Sequence, residues 1–169
     1  MSTTFLWNAG TSNNGLLVSP ALSLMTNTEL ASLASTDTVV SSTTGPGSNG
    51  IINNSVTGQG LLGEVWLKLG AITGPLVAGA CLSGWWLTSP DGGTTFEAPA
   101  SNTAPPRFPD FIIPLPTGAI AGATSFQAQG RIVPVPAVPF KVYVQNNFGF
   151  TTASSGNSLI LALVAAIAQ

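Results

Sequence analysis

The sequence predicts an all-β fold, a sandwich or barrel of about eight strands. Three observations carry that reading. Apolar and polar residues alternate with period two in several segments, turn clusters recur at spacings of roughly eight to fifteen residues, and 19 Gly and 13 Pro interrupt any run that would sustain a long helix. A length of 169 residues and a mass of 17.1 kDa suit one domain with one core.

Residues 1–20 are polar and glycine-punctuated, with Phe5, Trp7, Leu16, Leu17 and Val18 as isolated apolar anchors. They predict an extended N-terminal arm, either frayed or docked on a partner, preceding a β-sandwich domain over 21–169. From Ala21 to Leu33 the run TNTELASL suits a short helix capped by Thr26 or Asn27 with Glu29 in its first turn, or an extended strand. Thr36, Thr38, Val39, Val40 and Thr43 are β-branched and end at the turn cluster GPGSNG, which predicts a strand from Ala34.

GEVWLKLGA holds the clearest alternation, with Val65, Leu67 and Leu69 on a core face and Glu64, Trp66 and Lys68 opposite, the two charges being solvated. After a turn at Thr73 to Pro75, GACLSGWWLTS reads as a strand, so the adjacent Trp85 and Trp86 point to opposite faces. One of them belongs in the core and the other on the outer face or at an interface. SPDGGTTFE supplies turn chemistry at Pro90, Asp91, Gly92 and Gly93. Ala98 to Pro109 reads as an extended surface loop, and FIIPLP as a strand whose prolines favour a sheet edge. FQAQGRIVP alternates Phe126, Ala128 and Gly130 against Gln127, Gln129 and Arg131. Then Phe140, Val142 and Val144 alternate against Lys141, Tyr143 and Gln145, and a last strand runs from Ser158 to about Ile167.

Composition narrows the function. Charged residues make up 6% of the chain, against about 25% in an average soluble domain. Without histidine, neither Ser-His-Asp nor Cys-His catalysis, nor a histidine metal site, can be built. The single Cys81 excludes an intrachain disulfide framework and reads as a small buried residue. Lys68, Arg107, Arg131 and Lys141 are too few and too scattered to neutralise a row of phosphates, so no nucleic-acid partner is expected. A net charge of -2 gives no attraction to anionic membranes. Despite a mean hydropathy of +0.41, the longest apolar segment, Leu159 to Ala168, covers about ten residues where a spanning helix needs about twenty. MSTTFLWNAG lacks a charged start and a sustained apolar stretch, so the expectation is a protein made in the cytoplasm, its apolar excess hidden in the core or against other subunits.

Few groups suggest chemistry. Asp91 and Glu97 are the nearest carboxylate pair for a glycosidase, and with Thr94 or Thr95 they are candidate oxygens for calcium. A turn aspartate that caps its own backbone and an exposed glutamate explain the same residues. Trp66, Trp85, Trp86 and Tyr143 are candidate stacking groups for sugar, and an outward Trp suits a subunit contact equally well.

WWLTSPDGGTTFE and the downstream RIVPVPAVPFKVYVQNNFGFTTASSGNSLILAL resemble small virion proteins of tailed bacteriophages, the capsid decoration or cement proteins. The resemblance rests on a Ser-x-Asp-Gly turn and aromatic-acid pair at Ser89, Asp91, Gly92, Phe96 and Glu97. It continues in Pro134, in Phe140, Lys141 and Val142, in Asn146 and Asn147, and in Gly156, Asn157 and Leu159. It covers the second half well and the first half only through GEVWLKL, and departs at the long PP-containing loop and the apolar ALVAAIA end. It implies a single antiparallel sandwich of jelly-roll type that decorates and stabilises a capsid shell. The protein would then be non-enzymatic, without cofactor or metal, a homo-oligomer (dimer or trimer) bound to the major capsid protein on the virion surface. Phe5, Trp7, Trp85, Trp86 and Tyr143 are the candidate interface residues. The competing reading is a carbohydrate-binding module of a tail fibre or spike.

Overall fold

The computed structural model of the chain describes residues 5–6, 17–18, 22–42, 50–52, 62–116, 122–165 and 167–168. In chain order the elements are β1 (Phe5–Leu6), β2 (Leu17–Val18), β3 (Leu22–Met25), α1 (Asn27–Leu30), β4 (Thr38–Val40), β5 (Leu62–Leu69), β6 (Cys81–Thr88), β7 (Phe111–Pro114), β8 (Phe126–Pro134), β9 (Phe140–Asn147), β10 (Ser158–Ala165) and β11 (Ile167–Ala168). The fold is an all-β antiparallel sandwich. One sheet runs β3-β10-β5-β8, with β2 also on β10, and the other β4-β9-β6-β7, while β1 pairs with β11 apart from both.

The pairing is nested. β3 pairs with β10, β4 with β9, β5 with β8 and β6 with β7, so the chain is a ribbon of antiparallel pairs whose successive pairs fall in opposite sheets. β10 then joins β5, and β9 joins β6, which completes each sheet. The expected arm contributes β1 and β2, each paired with the C-terminal end of the same chain. Trp7 and the GPGSNG turn up to Asn49 lie outside the described residues.

Alternation places the core as the sequence predicts. Val65, Leu67 and Leu69 from one sheet meet Leu82, Phe140, Val142 and Val144 from the other, all buried in one cluster. β7 lies at a sheet edge, as its proline predicts. The short helix forms with Thr26 as its cap: the hydroxyl accepts from Thr28 N–H at 3.2 Å, and Glu29 reaches back to Thr26 N–H at 2.9 Å. The strand expected from Ala34 shrinks to Thr38–Val40. Thr36 takes a positive φ of 73° before it, and the Ser41 hydroxyl behind it turns to Gly50 O at 2.8 Å.

Beyond Gly130 the alternation of β8 changes phase. Glu64 pairs with Ile132 but Trp66 pairs with Gln129, so Gly130 and Arg131 together oppose Val65. That two-against-one count is a β-bulge. It leaves Arg131 and Ile132 both exposed and returns Val133 to the core.

Trp86 resolves the predicted choice between the two tryptophans. It is the inward one, with ring centroids 4.9 Å from Phe111 and 5.1 Å from Phe140, and its Nε1 donates across the sandwich to Pro134 O at 3.1 Å. Gly84, two residues earlier on the same face, must be glycine because a Cβ there would overlap the Phe111 ring. Gly84→Ala is therefore expected to cost about 1–3 kcal/mol, the overpacking range, measured as a shift in urea midpoint. An unchanged midpoint would show that the Phe111 ring is free to move.

Candidate functional site

Of the residues singled out for chemistry or contact, Trp85 and Tyr143 fall on the outer face of the β4-β9-β6-β7 sheet, and Ser89, Asp91, Gly92, Phe96 and Glu97 on the segment between β6 and β7. This segment, 89–110, begins in the Ser89 turn. Asp91 Oδ1 accepts from Ser89 Oγ at 2.7 Å, Thr95 N–H at 2.8 Å and Thr94 N–H at 3.1 Å, and Oδ2 accepts from Thr95 Oγ1 at 2.7 Å. Gly92 follows at φ 74° and Gly93 at φ 103°, a backbone path that side chains disfavour. The backbone N–H of Thr95, then the hydroxyls of Ser89 and Thr95, hold the Asp91 carboxyl well below the usual carboxylate range. Asp91 thus closes its own turn.

Glu97 has a different partner. Arg107 lies 3.2 Å from Glu97 and 2.6 Å from Asp110, so the carboxylates weighed as a catalytic or calcium pair are committed separately. Among the described residues no three Asp, Glu, Cys or His side chains gather as a metal site. Phe96 is half-buried and carries Lys141 Nζ at 5.1 Å from its ring centroid.

The Arg107–Asp110 pair docks on Trp86. Asp110 Oδ2 accepts from Trp86 N–H at 2.8 Å and Arg107 Nη2 donates to Trp86 O at 2.8 Å. β7 pairs with β6 only from Cys81 to Gly84, so these two side chains satisfy the backbone where the partner strand has not begun. No sequence signal marks that role, because the partner is a main-chain group 21 residues away from Arg107.

Trp85 points outward, as alternation requires, and yet is 3% exposed. Its Nε1 donates to Arg107 O at 3.1 Å, and Leu87, Tyr143 and Ala104 pack with it in a second small cluster. Tyr143 is 6% exposed, and its hydroxyl lies 2.6 Å from Thr38 Oγ1 and 3.0 Å from Thr103 O. The candidate interface residues Trp85, Trp86 and Tyr143 are therefore covered by the chain itself. The loop expected only to be exposed and extended folds down over them. Phe5 is described only as part of β1, and Trp7 not at all.

Nor do the four candidate stacking aromatics assemble. Trp66 stands alone on the outer face of the other sheet, half-buried, its Nε1 donating to Glu64 Oε2 at 3.1 Å. Gln129 Nε2 donates to Glu64 Oε1, so Glu64 is half-buried and bonded, while Lys68 is exposed. Cys81 is half-buried, not buried, because it opens β6 at the sheet end, its sulfur 3.9 Å from Ser83 Oγ.

The large apolar side chains left exposed were not foreseen. Phe108 is 93% exposed, Ile132 60% and Ile112 49%. They lie on the loop before β7, on β8 beyond the bulge and on β7, and the last two help to line a groove of about 520 Å³ between those edge strands.

Comparison with known proteins returns no matching family model, curated protein or solved structure. Among the described residues no helix is long and apolar enough to cross a membrane.

The Asp91 turn generates a pH prediction. Its carboxyl is depressed in the folded chain, so its stabilisation is fully present above the ordinary value of 3.8 and is lost as pH falls towards the folded value. The difference in thermal midpoint between the wild type and Asp91→Ala should stay constant above pH 3.8 and narrow below it. A difference that ignores pH would remove the carboxylate's charge from the account of this turn.

Proposed function

We propose that this chain is a non-enzymatic structural protein of a virion, which decorates and stabilises a capsid shell through contacts between its own copies and with the major capsid protein. The nested strand order favours a jelly-roll winding, a scaffold frequent in viral capsid and lectin domains. The observation that carries the functional reading is the exposure of Phe108, Ile112 and Ile132 on a sandwich that bears few charges. Exposed apolar groups are costly in water and favour burial against protein. With charged residues at 6% of the chain, such burial strands few ions. An ordinary interface covers about 800 Å² per partner, roughly a tenth of the 8784 Å² surface, which leaves room for both a homotypic and a shell contact. Synthesis in the host cytoplasm and residence on the capsid surface follow from this role.

The test is to mix purified protein with mature shells that lack it and to sediment them through a gradient. Co-sedimentation at a fixed ratio to the major capsid protein is the expected result. Protein that stays at the top of the gradient would overturn the proposal.

One observation favours a second reading, a carbohydrate-binding module of a fibre or spike. Trp66, Glu64, Gln129 and Lys68 lie together on the outer face of the β3-β10-β5-β8 sheet, an aromatic ring flanked by polar groups. Titration with host polysaccharide should then change tryptophan fluorescence in the wild type and not in Trp66→Ala. An identical response in both proteins would sink this reading.

A further inference from the structure

The groove between the edge strands is built from two unlike walls. Pro109, Asp110 and Ile112 belong to β7 and the turn before it, and Arg131, Ile132 and Pro134 belong to β8. Among the described residues β7 pairs only with β6, and β8 only with β5, so each strand leaves one edge without a described partner strand. Proline at 114 and 134 removes a backbone donor from each, which disfavours simple strand addition and leaves side-chain contact as the mode of docking.

Beside the groove stands a side chain that suits it. Phe108 is 93% exposed, and prolines at 105, 106 and 109 stiffen the loop that presents it. A free aromatic adjoining an apolar groove fits the groove of a second molecule, and two-fold symmetry makes that fit reciprocal. The charges complement in the same sense. The Arg131 guanidinium makes no ion pair or hydrogen bond with a described residue. Across the groove, Asp110 takes both of its described bonds on Oδ2 and none on Oδ1.

We propose that the β7–β8 groove is a self-association surface. In a two-fold dimer each Phe108 enters the partner copy's groove against Ile112 and Ile132, and each Arg131 faces the partner copy's Asp110. The proposal rests on the homotypic contact in the virion reading and gives that contact its surface.

Sedimentation velocity of the full chain across a dilution series tests it. The expected result is a dimer for the wild type and a monomer for Phe108→Ser and for Ile132→Ser, while Arg131→Glu raises the dissociation constant about tenfold or more. Because Phe108 and Ile132 are exposed, near-ultraviolet circular dichroism of the tryptophans should not change in these variants, which separates lost association from lost fold. A wild type that is monomeric, a trimer, or a dimer that persists in both serine variants would overturn the proposal. The same variants carried into the shell experiment tell the two ideas apart. A wild-type monomer that still binds shells, and loses them on Phe108→Ser, assigns the groove to the capsid protein and overturns self-association alone. A dimer that ignores shells overturns the virion reading and leaves the dimer surface standing.

Discussion

The indole of Trp86 is the contact on which the arrangement of both sheets depends. It fills the gap between Phe111 and Phe140 and ties β6 to the opposite sheet through Pro134 O at 3.1 Å. Its own N–H and C=O are held by Asp110 and Arg107. Polar groups bonded inside a low-dielectric core are costly to release, so ring, backbone and loop must be set down together. Displacing β8 would unpair an indole donor, and lifting the 105–110 loop would unpair both backbone groups of one residue. Gly84 completes the arrangement by leaving the space that Phe111 needs to lie against the indole.

That dependence explains why the outward tryptophan is not a surface feature. The loop brought to β6 by Arg107 and Asp110 passes over Trp85, accepts its indole N–H at Arg107 O and meets Tyr143 at Thr103 O. Exposed ion pairs such as Arg107–Glu97 contribute little by themselves. Their consequence here is geometric, because a guanidinium held by two carboxylates has its second Nη2 donor aimed at the Trp86 carbonyl. In a chain with four basic residues, one spent this way serves the fold rather than a ligand.

What the sequence made legible was whatever depends on neighbours along the chain. Strand faces in β5 and β9, the Thr26 cap, the Ser89 turn with its self-capping aspartate and the edge position of β7 all follow from period, cap and turn chemistry. What escaped depends on neighbours across the fold. The bulge at Gly130 and Arg131 exists because β8 must match β5 on both sides of Val65, and no property of RIVP announces it. The same holds for the burial of Trp85. Its period-two phase is right, but only the return of a loop from beyond Ala100 decides whether an outward ring meets water. The nested strand order is equally non-local, with β3 finding β10 across most of the chain.

The bulge and the proline loop have a joint effect on the surface. A regular β8 would have turned one of Arg131 and Ile132 inward; the extra residue sends both outward, side by side, at the rim of the β7–β8 groove. The prolines before β7 hold Phe108 in solvent beside that rim at a small conformational cost, since φ is already fixed at Pro105, Pro106 and Pro109. Association loses affinity whenever loops and long side chains must be ordered, and pre-ordered groups avoid that loss. Under the self-association proposal, an aromatic presented next to a groove, with an Arg131 that has no partner among the described residues on one wall and an Asp110 with a free Oδ1 on the other, loses little on ordering when it binds.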